Sequence, residues 1–338
     1  MASRHNETLS PWDISDETRD LFQLINGVYL ATIISILGIL GNMVNILVFH
    51  RQGLRSPINI SFMMLALSDL CSLLTLLWYN ICGNSSVIHS DSVFFFPEVK
   101  HLTAGFPHGC FSRISAWVTV FILTERCVCL AFPLTVKNIV TPKRTVIMIG
   151  VVYLVMIMSL VPIYYTKYLD WKWYPELNES RIGMVMLEGS QELDGVSSSL
   201  YSSYMISAFL AVTAMTFLLL LLYKSQTQWR LDNVKGTKFK EKMAGRDGTI
   251  VKIVLVEGFL FTVTYSASAL VLLINILEPE FSYVGRLSNL YFAAFSVSFL
   301  LDDINSSLHI VLYFKMSSNF RAAFFDLFDI RRVLKNWN

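Results

Sequence analysis

The chain has 338 residues, of which 54% are hydrophobic and 15% charged, with a formal net charge of +2 and a mean hydropathy of +0.52. A soluble protein of this length divides into about two domains and carries roughly a quarter charged residues, so the charge deficit argues against a soluble globular enzyme. The balanced charge, with no basic stripe interleaved with aromatics, argues against nucleic-acid binding, and five cysteines without CxxC pairs argue against structural zinc.

Residues 1–27 form a polar, acidic tail with no basic region leading into a short apolar core and cleavage site. The first apolar run must therefore act as its own membrane-insertion signal. Seven runs reach the ~20 residues that cross the hydrocarbon: 28–49, 59–81, 110–132, 145–166, 202–223, 250–277 and 290–314. Backbone in lipid must satisfy its own hydrogen bonds, so each is expected to be a helix. The fold class is all-α: a polytopic membrane protein whose seven-helix bundle fills 28–314, followed by a cytoplasmic segment at 315–338. In that segment Phe320, Phe324, Leu327 and Phe328 share one helical face, which predicts an amphipathic helix on the membrane surface. Membrane lipid is thus a partner.

Short loops rich in Lys and Arg stay inside. With the N-terminus outside, 19 of the 27 basic residues fall on the inner side, seven outside and Arg113 within a span; 15 of the 25 acids fall outside. The loop before the sixth span alone carries Lys224, Arg230, Lys235, Lys238, Lys240, Lys242 and Arg246. The sequons at Asn6, Asn84 and Asn178 all lie in segments assigned outside, where glycosylation occurs.

Ionisable groups within spans face the bundle interior as a rule. Here they are Asp69, Arg113, Glu257, Asp302, Asp303 and His309, with the amides Asn42 and Asn305. At about 1.5 Å rise per residue, Asp69, Asn42, Ser115 and Asn305 stand at similar depths, roughly 10–16 Å from the inner face. Such a layer, with Ser306 beside it, is either a satisfied structural network anchored on Asn42 and Asp69 or a hard-oxygen site suited to sodium. Arg113 stands about 20 Å above Arg126. It either pairs with Asp302 or Asp303 or awaits an anionic ligand group, with Trp117, Tyr265 and Tyr291 as aromatic walls.

Gly41-Asn42, Leu65-Ala66-Leu67-Ser68-Asp69, Glu125-Arg126-Cys127 followed by Phe132-Pro133-Leu134, Phe261 through Tyr265, His309-Ile-Val-Leu-Tyr313 and Phe320-Arg321 occur in order at matching spacing. Together they resemble the rhodopsin-like (class A) G-protein-coupled receptors across all seven spans. The stretch around Phe-Pro-Leu-Thr-Val-Lys is similar to molluscan chemosensory receptors and other invertebrate peptide receptors. The resemblance implies an extracellular ligand, a heterotrimeric G protein, a plasma-membrane location and no enzymatic activity. It implies switch roles for Glu125, Arg126, Phe261 and Tyr313, and it places Ser115 at the family's sodium-site serine. No cofactor other than sodium is implied.

The chain also departs from that pattern. The 167–201 loop lacks the cysteine of the usual disulfide, leaving Cys82 and Cys110 as an alternative pair, although Cys110 fits a buried thiol equally well. The usual prolines of helices five, six and seven are missing. Two other readings therefore stand beside the receptor: a seven-helix ion-coupled transporter, for which no repeated halves are visible, and a receptor-like protein that has lost signalling.

Overall fold

A computed structural model describes residues 12–88, 90–233, 246–282 and 285–328. Asn6, Lys235, Lys238, Lys240 and Lys242 lie outside the described residues. The seven long helices are α1 (Ala31–Gln52), α2 (Pro57–Cys82), α3 (Phe106–Ala131), α4 (Pro142–Met158), α5 (Gln191–Asn233), α6 (Arg246–Leu277) and α7 (Ser288–Met316). The short α8 (Ser318–Leu327) follows. Among the described residues, six helical segments are long and apolar enough to cross a bilayer: Asp16–Gln52, Pro57–Cys82, Phe96–Ala131, Pro142–Thr166, Gly195–Trp229 and Gly248–Leu277. The seventh, α7, has 29 residues, but Asp302, Asp303, Asn305 and His309 lower its hydropathy, and all four are buried inside the bundle.

Neighbouring helices pack in chain order and α7 returns to α1, with the short helix Val161–Thr166 after α4 making the contact to α5, and α3 touches α2, α4, α5 and α6. Lipid-facing positions are apolar and exposed, as at Leu37, Leu40, Leu154, Phe217 and Phe259. The polar residues of the spans turn inward because lipid offers no hydrogen-bond partner.

Several elements outrun their apolar cores. The first helical path begins at Asp16, capped by Ser15, and widens to π-helix over Gln23–Leu30. Its early residues bind α7: Arg19 donates to Asn289 at 2.8 Å and Asn26 to Ser296 at 3.2 Å. The third path begins at Phe96 and passes through π-helical His101–Gly105 before α3. With 43 residues, α5 is about 65 Å long, twice the hydrocarbon thickness. Hydropathy marks only the membrane-crossing part of such helices, which accounts for the shorter expected spans.

The all-α expectation holds for the bundle, with one addition. In the 167–201 loop, β1 (Lys167–Tyr174) and β2 (Glu179–Met186) form an antiparallel hairpin. Trp and Tyr residues favour the strands, and Asn178, at φ 53°, takes the left-handed conformation that the turn needs. The bundle thus has a hairpin end and, opposite, an end marked by Arg126.

Close approach of α1 and α7 depends on two glycines. A Cβ at Gly38 would overlap the Ser307 hydroxyl, and one at Gly41 would lie 2.9 Å from Cγ2 of Ile310. Across this seam Asn42 donates to the Ser306 carbonyl at 2.8 Å. Gly41→Val should therefore wedge the helices apart and destabilise the bundle by about 1–3 kcal/mol, the usual range for overpacking. A thermal melt of the detergent-solubilised protein checks this; an unchanged Tm would refute the seam.

Candidate functional site

Polar side chains gather at three levels in the bundle. At the Arg126 end, Glu125 is buried and accepts from Arg126 Nη2 at 2.9 Å and from Ser61 Oγ at 3.1 Å. Nε of Arg126 is buried without a partner. A cleft of ≈ 330 Å³ opens beside the pair, lined by Ser56, Ile58, Val136, Lys137 and Ile250 among others. Tyr313, fully buried, packs edge-on to Phe49 at 5.1 Å and against Phe62 and Phe320. Phe320 fixes α8 to α1 by the same aromatic contacts. The loop leaving α3 exposes Leu134 at 94% and Phe132 at 58%.

One level up, Asp69 of α2 accepts from Ser115 Oγ at 2.6 Å and bonds Nδ1 of His309 at 2.8 Å. The opposite edge of His309 lies 3.9 Å from Glu257 of α6. Asn42 ties α1 to α7, and Asn45 donates to it at 3.3 Å. Asn42 and Asp69 each bond across to another helix. The Ser306 carbonyl takes the Asn42 amide, Asn305 Oδ1 has no partner, and a hydroxyl and an imidazole flank the two Asp69 oxygens. Ser115 Oγ and Asn305 Oδ1 are oxygens a sodium ion could use, but the His309 imidazole occupies one Asp69 oxygen and is not the hard-oxygen ligand that the ion prefers.

The third level centres on Arg113, which is 2% exposed. The expected pairing with Asp302 or Asp303 does not occur. Asp302 accepts from Ser268 Oγ at 3.2 Å, and Asp303 receives Ser35 Oγ, 3.0 Å from each of its oxygens. The guanidinium lies instead over the Tyr201 ring, 4.2 Å from its centroid, with Nε and Nη1 buried and unpartnered. Gly109, one turn away on the same face of α3, makes room: a Cβ there would come within 2.8 Å of that ring. Depth along each span is legible in sequence, but rotation about the helix axis is not, and rotation turned both aspartates towards serines.

Tyr265 donates to or accepts from Ser112 at 2.9 Å and stacks on Phe261 with ring centroids 3.9 Å apart. Trp117 lies a turn below Arg113, its Nε1 buried without a partner. Tyr291 lies in a separate aromatic run at the hairpin end, through Phe295 and Phe299 to Tyr79 and His108.

Cys82 and Cys110 are free thiols. Cys82 closes α2 near Lys100, while Cys110 lies ten residues, about 15 Å, farther along the helical path of Lys100 and donates to the Met156 carbonyl. What binds the hairpin to the third helix is Glu98. Its carboxylate accepts from Lys172 Nζ at 2.7 Å, Tyr174 OH at 2.9 Å and the Met184 amide at 2.9 Å. Tyr174 passes across β2 where residue 183 is glycine, since a Cβ there would overlap the phenol oxygen. Burial and the adjacent carboxylate push the Tyr174 phenol well above its ordinary pKa, which keeps it a donor. Arg181 adds a bond to the Ser90 carbonyl at 3.2 Å. A lone glutamate ahead of an apolar run gave no sign of this role. The sequons Asn84 and Asn178 lie at this same end, Asn178 exposed at the hairpin turn.

Comparison with known proteins gives one family and two curated relatives. Residues 29–331 match the model of the serpentine-type seven-transmembrane G-protein-coupled chemoreceptors named Srw. The chain is 24% identical to an allatostatin-A receptor of Bombyx mori over 294 residues, covering 86% of this chain and 76% of that one. It is also 24% identical to the galanin-like G-protein coupled receptor npr-9 of Caenorhabditis elegans over 140 residues, 40% of this chain and 31% of that receptor's length.

The Glu98 clamp can be tested directly. Hydrogen bonds to a charged group contribute about 1.5–3 kcal/mol each, less where water competes. Glu98→Ala should speed hydrogen exchange of the Met184 amide by roughly tenfold or more while exchange in α2 stays unchanged. Protection at Met184 equal to that of the wild type would remove Glu98 from this role.

Proposed function

The chain belongs to the Srw family of serpentine seven-transmembrane G-protein-coupled chemoreceptors, and from that premise we propose that it carries an extracellular chemical signal to a cytoplasmic G protein across the plasma membrane. In this reading the N-terminus and the hairpin end face outward, with Asn84 and Asn178 as glycosylation sites, and the Arg126 end faces the cytoplasm. The charge bias of the loops supports that orientation. The observation that carries the proposal is Arg126: a cation on α3, held by a buried carboxylate, beside a cleft that α6 borders through Ile250. Exposed Leu134 and Phe132 are apolar anchors of the kind a protein partner buries.

The ligand would act at the other end. Arg113 offers two buried N–H donors without acceptors, and a ligand carboxylate is the group that fits them. To reach them it would displace the Tyr201 ring and then lie near Tyr265 and Trp117. The His309 imidazole on Asp69 argues against a sodium-coupled role. The transporter reading gains nothing from the comparisons, whose matches are receptors.

The test needs no ligand. Basal G-protein activation in transfected cells should fall severalfold in Arg126→Ala with surface expression retained. It should rise in Glu125→Gln, which weakens the hold on Arg126 while keeping an acceptor for Ser61. Equal basal activity in wild type and both variants, at equal surface expression, would count against G-protein coupling through this site.

A further inference from the structure

The Asp69 level holds an arrangement that the seven-helix pattern does not supply: one imidazole between two carboxylates from different helices. His309 is 2% exposed, Asp69 0% and Glu257 1%, and each of the three comes from a different helix: α7, α2 and α6. Nδ1 of His309 and an Asp69 oxygen share a hydrogen bond at 2.8 Å. Ser115 gives its hydroxyl proton to the other Asp69 oxygen at 2.6 Å. Both Asp69 oxygens are thus already engaged, one by a hydroxyl and the other by an imidazole.

On the far edge, Nε2 faces Glu257 Oε1 at 3.9 Å, and both Glu257 oxygens are buried without another partner. At that separation the two groups make no direct hydrogen bond, and their contact is electrostatic. Tyr313, next along α7, is the further titratable group facing Glu257; Tyr153 of α4 and Tyr265 of α6 face Asp69. None of these phenols supplies a cation. His309 is the one basic side chain that the described residues place against both carboxylates at this level.

We propose that His309 takes the place of the sodium ion at this level of the bundle, as a built-in latch that joins Asp69 of α2 to Glu257 of α6 and leaves the protein indifferent to sodium. The inference rests on this geometry alone and holds whether or not the chain couples to a G protein.

Thermal unfolding of the purified full chain in detergent tests it, with about 150 mM NaCl against choline chloride at equal ionic strength. The wild type should melt at the same temperature in both salts. His309→Asn removes the imidazole, shortens the reach to Glu257 and frees one Asp69 oxygen. It should melt several degrees lower in choline, with part of the loss restored by NaCl. A wild-type Tm raised by NaCl would overturn the proposal, and that comparison stands even if the variant fails to fold. A His309→Asn Tm equal to that of the wild type in choline would also overturn it. The arm to α6 is read separately: Glu257→Leu should increase hydrogen exchange over residues 253–261 and leave α2 unchanged. Equal exchange in α6 would remove Glu257 from the latch.

Discussion

A polar group carried into a membrane bundle must find its partner inside the protein, because lipid offers none. That constraint arranges the whole interior of this chain. Four buried carboxylates show it: Glu125 is answered by Arg126 and Ser61, Asp69 by Ser115 and His309, Asp302 by Ser268, and Asp303 by Ser35. Most of these pairs bridge two helices, so they set helix rotation as well as satisfying charge. The aliphatic contacts around them are interchangeable with lipid contacts and select no rotation by themselves.

Arg113 is the exception that locates a site. It is buried as fully as the others, yet it is answered by an aromatic face rather than by a carboxylate. A cation–π contact compensates a desolvated guanidinium only in part, in the range of about 2 kcal/mol, and it leaves two N–H groups unsatisfied. Asp302 and Asp303 are already engaged with serines. The arrangement keeps positive charge available in the bundle, and Gly109 is the residue that makes it sterically possible.

Seven apolar runs and their order were legible in sequence because hydropathy responds to one variable, the depth of each residue in lipid. Depth also placed Asp69, Asn42, Ser115 and Asn305 at similar levels, and of these Asp69 and Ser115 bond at 2.6 Å. Rotation about the helix axis was not legible, which is why Arg113 was matched with aspartates that face away and why Asp69 was matched with sodium rather than His309. The hairpin was missed for another reason. Its strands are short, Trp-rich and set in a loop, and the residue that fixes them, Glu98, lies some 75 positions away in sequence. In place of a disulfide the chain uses a carboxylate with three donors, and no pattern of cysteines could reveal it.

The missing prolines have a definite consequence for how α6 can move. A proline localises bending by removing one backbone bond and crowding the preceding turn; α6 runs unbroken from Arg246 to Leu277 without one. Its inward contacts follow a single stripe: Glu257 towards His309, Phe261 stacked on Tyr265, Tyr265 to Ser112, and Ser268 to Asp302. Gly258, beside that stripe, is packed against Thr216 of α5 and Leu123 of α3, and so serves close contact rather than bending. Residues four apart on a stiff rod turn together. A displacement that releases Glu257 near the Arg126 end also strains Tyr265 and Ser268, close to the level of Arg113. Coupling between the two ends then requires no hinge; it requires that the stripe engage and disengage as one unit, the kind of two-state element on which a differential ligand contact can act.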